Sequence, residues 1–403
     1  MKETLGSIRA HLDKLCNQVG NRHVGSSGNR AATDYFVEVT RQLGFDSACS
    51  PFDCMEWEPG QARLQAGDKL WDVTSSPYSL PCDVAASLIE ISTDEALRNA
   101  PELDGKIVLL HGQIAEEQIM PKEFVFYNPD RHKKIVATLE SKRPAAIIAA
   151  TGKCPGIAGS VYPFPMFEDG AFDIPSVVMK DVDGAQLTQH AGEIVQLTST
   201  SRRIPATACN PVASCGPKDG PRILLTAHID AKKNTPGALD NATGVAVLLA
   251  IAEHLQGFVP SLRIEFVAFN GEDYYAVPGQ LLYLRQLGDL MADIELVINL
   301  DGAGCKDAGI EYSFYNSSEE LEQRVQKAFS QQPEATVGSP WPQGDHSMFA
   351  MAGRPAVAVT SFNFAWLCQE ITHTPKDNLD LVHAETLVRT AASLAQLVQQ
   401  IAA

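Results

Sequence analysis

Two histidines, four aspartates and a glutamate stand where short apolar runs give way to polar loops: His228, Asp230, Asp240, Glu272, Asp273, Asp301 and His373. Imidazole nitrogen and carboxylate oxygen are zinc ligands, and two ions a few ångström apart need a bridging carboxylate with further ligands on each side. His228, Asp240, Asp273, Asp301 and His373 supply such a shell. Glu272 is then left free to act as a base. Any one of these residues alone reads as a capping or solvated loop side chain. The set points to a centre for two metal ions with an adjacent base.

Runs of strand and helix type must position them. Arg222 to Ala227, Leu262 to Phe269, Glu295 to Leu300 and Pro355 to Thr360 are compact apolar runs, predicted as strands. Val245, Leu248, Ala252 and Leu255 mark a helix, and Leu387, Ala391, Leu394, Val398 and Ile401 space a closing one. This alternation predicts α/β architecture with a largely buried sheet. In such sheets sites form beyond the carboxyl ends of the strands, where these residues fall. Leu5, Ile8, Leu12 and Leu15 predict a first helix, and Ala32, Phe36, Val39 and Leu43 a second that ends at Gly44, with a turn-rich Arg22 to Asn29 loop between. From Trp71 to Ser199 the texture changes to short β-type runs (Lys106 to Leu110, Ala145 to Ala150, Ile174 to Met179, Glu193 to Thr198), which reads as a small separate domain.

The chain has 403 residues, with 32 basic and 49 acidic side chains and a formal charge of −17. Such acidity disfavours phosphate backbones and anionic lipid surfaces as partners. No stretch approaches the roughly 18 uninterrupted apolar residues of a membrane span; Gly244 to Leu255 is broken by Glu253 and His254. The first residues lack a secretory apolar core, and the nine cysteines contain no CxxC pair, so reduced thiols and a cytoplasmic location are expected.

The strings Thr-Ala-His-Ile-Asp at 226 to 230, Pro-Gly-Ala-Leu-Asp-Asn-Ala-Thr-Gly at 236 to 244, Phe-Asn-Gly-Glu-Asp at 269 to 273, Ile-Asn-Leu-Asp-Gly at 298 to 302, Gly-Asp-His-Ser-Met-Phe at 344 to 349 and His-Thr-Pro-Lys-Asp at 373 to 377 occur in one order. They resemble the ordered motifs of the co-catalytic zinc aminopeptidases, peptidase family M28. Residues 71–199 resemble the protease-associated domain that many members insert. The resemblance implies a three-layer α/β/α exopeptidase fold with a mixed central sheet. A peptidase domain formed by 1–70 and 200–403 would be interrupted by a small, mostly β insert at 71–199.

By the same resemblance the chain binds two divalent ions, zinc by family habit, and cleaves peptides from the N-terminus. Asp240 bridges the ions, His228 and Asp301 complete one site, Asp273 and His373 the other, and Glu272 is the general base. The Asp240-Asn241 peptide matches a cis bond of the family. Asp230 would orient the His228 imidazole as an acceptor. His346 would donate to a developing oxyanion, the alternative being a loop histidine that satisfies Asp345. Phe364 and Trp366 are candidates for a substrate pocket, with core packing as the alternative. The chain departs from the family in having Asp273 where Glu is usual, one methylene shorter, and Thr372 where Tyr often precedes the last histidine. A single-zinc glutaminyl cyclase and a non-catalytic peptidase-like binding protein are the competing readings; retention of all five ligands and Glu272 speaks against the second.

Overall fold

The computed structural model describes residues 2–124, 127–154 and 156–403. They form two eight-stranded sheets. In the first, strands run in the order Asp46–Glu58, Arg202–Cys215, Arg263–Phe269, Arg222–His228, Ile294–Leu300, Ala356–Ser361, Ile310–Tyr315 and Ala335–Val337. The four central strands, from Arg263–Phe269 to Ala356–Ser361, are mutually parallel, and antiparallel neighbours flank them, so the sheet is mixed. The sequence places those central strands to within one residue at each end.

Alternation along a strand sends its side chains to opposite faces. Ile223 and Leu225 enter one core, with Ile264, Phe266, Leu296 and Ile298, beneath helices Lys2–Asp13, Ser27–Gln42, Thr243–His254 and Ala384–Ala402. Leu224, Val267 and Val297 enter the other, beneath helices Pro278–Leu287 and His346–Met351. The result is three layers with the sheet in the middle. Helix Thr243–His254 is apolar on nearly every side because it is enclosed, being buried from Thr243 to Ala252.

The second sheet is built from residues 62–199, with a parallel centre of Cys82–Ile91, Ile107–Leu110, Ala146–Thr151 and Ser176–Lys180. Strands Ala62–Ala66 and Lys69–Trp71, which begin ahead of position 71, already belong to it. The chain leaves and re-enters the first sheet through Asp46–Glu58 and Arg202–Cys215, paired antiparallel from Asp46 with Ser214 to Glu58 with Arg202. Pro51, Pro205 and Pro211 interrupt these strands, which conceals them from sequence patterning. Proline is tolerated because Asp46–Glu58 is an edge, and Arg202–Cys215 gains its second neighbour only from Val212 onward.

Cys49 and Cys209, diagonal in that ladder, form a disulfide, and seven cysteines are free. This corrects the expectation of nine reduced thiols and removes the cysteine argument for a cytoplasmic location. Among the described residues no helix is long and apolar enough to cross a membrane.

Candidate metal centre and active site

The parallel strands converge on one end of the first sheet. Arg222–His228 closes on His228 itself, Arg263–Phe269 feeds Glu272 and Asp273, and Ile294–Leu300 feeds Asp301. His373 follows the helix Phe364–Glu370 beyond strand Ala356–Ser361, and Asp240 lies in the turn Ala238–Ala242 that opens the long buried helix. The Asp240-Asn241 peptide is cis, as the resemblance implied.

These elements bring together all five residues read as ligands. The donor atoms of His228, Asp240 and Asp301 lie within 4.8 Å of one another, and so do those of Asp240, Asp273 and His373. Asp240 belongs to both groups. Its Oδ1 is 3.1 Å from His228 Nε2, which is also 3.6 Å from Asp301 Oδ1. Its Oδ2 is 3.2 Å from His373 Nε2, which is 3.0 Å from Asp273 Oδ1.

The buried His228 Nε2, 3.1 Å from Asp240 Oδ1, makes no hydrogen bond of acceptable geometry, and the buried Asp273 Oδ2 has no hydrogen-bond partner. Lone pairs converging from imidazole nitrogen and carboxylate oxygen, two of the atoms unpartnered, suit a divalent cation. A third grouping, His228, Asp230 and Asp273, also has the spacing. There the Asp230 carboxylate is committed elsewhere, accepting from the backbone N–H of Gly271 (2.7 Å), Glu272 (3.2 Å) and Asp273 (3.2 Å).

The charges of the centre are strongly interdependent. Burial opposes charge on His228 and His373, yet the facing carboxylates outweigh it, holding His228 well above the usual histidine range and His373 up to about 10. Burial also works against an ionised Asp240, but the two imidazoles pull its pKa far below the carboxylate norm. Burial, with Asp273 and Asp301 nearby, pushes Glu272 well above its ordinary value against the opposing His228. Burial and the Asp273 charge lift Asp230 to about 6, against His228 and the amide bonds. Like charges crowded at low dielectric resist ionising together, and a bound cation reverses that balance.

Several residues act by holding these loops. Arg22 is buried and donates from Nε to the carbonyl of Ile229 (3.1 Å), from Nη1 to Leu15 (2.9 Å) and Pro236 (2.7 Å), and from Nη2 to Gly237 (2.8 Å). One guanidinium thus ties the His228 loop to the Asp240 turn. Asp377 accepts from the N–H of Leu239 (2.7 Å) and Asp240 (3.0 Å), and Asn241 Nδ2 donates to the Leu300 carbonyl at 2.7 Å, next to Asp301. Sequence reasoning missed Arg22 and Asp377; the motifs containing them were the available signal.

Four expectations are corrected. His228 Nδ1 meets the main-chain oxygen of Asp230 at 3.3 Å, and the carboxylate stands 3.9 Å away, bonded to the Gly271–Asp273 amides. His346 is fully buried, its Nε2 donating to the Trp341 carbonyl at 3.0 Å between the Trp341 and Tyr315 rings, and it does not line the cleft. Burial, opposed by that bond, depresses its pKa to about 4. Asp345 Oδ1 accepts from Gln280 Nε2 at 2.8 Å while His346 Nε2 is given to Trp341, and burial lifts Asp345 to about 7. Trp366 is half-exposed and outside the cleft, whereas Phe364 lines it and stacks obliquely on Trp341, 5.0 Å between centroids.

The cleft itself lies between the two sheets' layers. Asp240, Glu272, Asp273, Asp301 and His373 form its floor, and Met120, Ile157, Trp341, Phe364 and Leu367 are among its walls. Met120 and Ile157 come from the second layer.

This architecture is shared with solved aminopeptidases. Residues 210–398 match the model of Peptidase family M28. The chain is 27% identical over 241 residues to Aminopeptidase YwaD of Bacillus subtilis, covering 55% of this chain and 50% of that protein. The aminopeptidase from Aneurinibacillus sp. strain AM-1 superposes with a TM-score of 0.76 at 22% identity, covering 99% of this chain and 94% of that one. BSAP, a zinc aminopeptidase from Bacillus subtilis, gives 0.73 at 19% identity, with 99% and 95% covered. The chain spans between 26% and 62% of the length of the first curated relatives it matches.

Proposed function

We propose that the chain is a metal-dependent aminopeptidase that releases N-terminal residues from peptides, using two divalent ions, zinc by kinship. The observation that carries this reading is the pair of three-residue donor groups sharing Asp240, with Glu272 beside them in the cleft. His228 and Asp301 would hold one ion, Asp273 and His373 the other, and Asp240 both. When bound, such ions supply Lewis-acid charge that polarises a carbonyl and acidifies water.

Glu272 does the proton work. No hydrogen bond to its side chain is present among the described residues, and burial raises its proton affinity, so it can take a proton from water and return it to the leaving amine. Asp230 keeps the Glu272 backbone in place through the three loop amides. Trp341, Phe364 and Leu367 offer an apolar wall to the side chain of the residue released.

The second sheet is read as a protease-associated-like insert that roofs the cleft. The acidic surface suits neither nucleic acid nor anionic membrane as partner. The test is metal analysis of the purified protein alongside hydrolysis of an aminoacyl-anilide panel, with and without chelator. About two ions and chelator-sensitive release support the reading; a metal-free protein inert on every substrate overturns it.

A further inference from the structure

Among the described residues, the polar ties between the second sheet's layer and the metal centre all reach one of the two donor groups. Ser160, in the loop after strand Ala146–Thr151, donates to the Thr372 carbonyl from both its backbone N–H (3.1 Å) and its Oγ (3.0 Å). Gly159, at φ +59°, lies against the same peptide: a methyl group there would stand 2.7 Å from Thr372 O and 3.0 Å from His373 Nδ1. Lys153 Nζ adds a rim contact to Glu370 Oε1 at 3.0 Å. On the opposite flank, Lys232 Nζ donates to the main-chain oxygen of Asp273 and, at 2.8 Å, to Glu168, a buried carboxylate of the second layer.

His373 itself has φ +63°. A left-handed backbone is uncommon outside glycine, and it persists where the surroundings hold it. The braced Thr372 carbonyl is the adjacent support. Among the described residues no hydrogen bond or ion pair joins the second layer to His228 or Asp301. Their supports come from the first sheet's own segments: Asp301 N–H donates to Val359 O at 2.9 Å, and Arg22 and Asn241 grip the neighbouring turns.

We propose that the second layer is a structural part of one metal subsite only. Gly159, Ser160 and Glu168 are positioning residues that hold His373 and Asp273 in ligating register, and the His228–Asp301 subsite stands without them. This rests on the two-ion reading. It gives the inserted sheet a task beyond roofing the cleft, since its seating sets the occupancy of a single ion.

The test is equilibrium competition of the full chain with a chromophoric chelator, which counts zinc ions and resolves two affinities without any turnover. The wild-type chain is expected to bind two. Gly159→Ala and Glu168→Gln each weaken one ion by about 10- to 100-fold, the scale for outer partners of a ligand, and leave the other within about twofold. Glu168→Asp recovers part of the loss. The retained tight ion certifies that the variant chains are folded. Two ions in the wild type, with both affinities falling together or neither moving in either variant, overturns this inference alone. Fewer than two in the wild type overturns the two-ion reading on which it rests.

Discussion

The two sheets have the same number of strands and a parallel centre of four, yet their strand ends differ in kind. Beyond strand Ile107–Leu110 of the second sheet, His111 reaches outward to Glu90 at 3.3 Å, both partly open to solvent. Thr93, after Cys82–Ile91, caps its own helix by accepting from Ala96 N–H, and Asp181, after Ser176–Lys180, accepts from Val182 N–H and Tyr162. In the first sheet the corresponding residues face one another in the interior, and every described donor group of metal type lies there. Strand ends supply a place, and chemistry comes from burying polar groups there without giving them to each other or to caps. The second sheet's polar ends are spent locally.

The sharpest way to break this contrast is at Glu272. Glu272→Gln is expected to keep its metal and lose turnover by about 10²- to 10⁴-fold, the usual worth of a positioned base; steady-state kinetics with metal analysis shows it, and near-normal turnover would remove the base assignment. Next comes Arg22→Ala, which strands three buried carbonyls and one part-buried one at about 1 kcal/mol or more each. A stability loss of at least about 3 kcal/mol in urea titration is expected, and a change under 1 kcal/mol in the same experiment would deny Arg22 its holding role.

His346 tests burial through pH. Its folded pKa, about 4, lies below the ordinary 6.5, so the unfolded chain binds the proton first and stability falls as pH drops from 6.5 toward 4. The loss attributable to this group is about 3 kcal/mol by pH 4. Chelator-treated wild type should therefore lose more stability between pH 7 and pH 4 than His346→Gln, and parallel curves would contradict this. A smaller effect is expected at the cleft wall. Trp341→Ala should raise KM for a leucyl-anilide about tenfold and for an alanyl-anilide less, in line with apolar-pocket discrimination; equal changes would place the released side chain elsewhere. The smallest is the control in the other sheet: His111→Ala should shift stability by less than about 0.5 kcal/mol and leave metal content unchanged.

What could be read in advance follows from what is local. Apolar runs such as Arg222 to Ala227 announce strands, and the polar residues that follow them are neighbours in sequence, so His228, Asp273 and Asp301 were visible as a set. The targets of side chains are not local. Nothing near Asp230 in sequence says that its carboxylate serves amides 41 to 43 positions later instead of His228. Arg22 binds carbonyls more than 200 residues away, and Trp341 became a cleft wall only through packing on Phe364. The ladder of Asp46–Glu58 with Arg202–Cys215 was hidden because its prolines suppress strand patterning, and with it the pairing of Cys49 and Cys209.

That disulfide spans 160 residues of sequence and encloses the whole second sheet. A protease that nicks the chain anywhere between residues 50 and 208 therefore produces two pieces that still travel together. They would migrate as one species on a non-reducing gel and separate only when a thiol reductant is added, so limited digestion followed by both gels reads out whether the bond is formed.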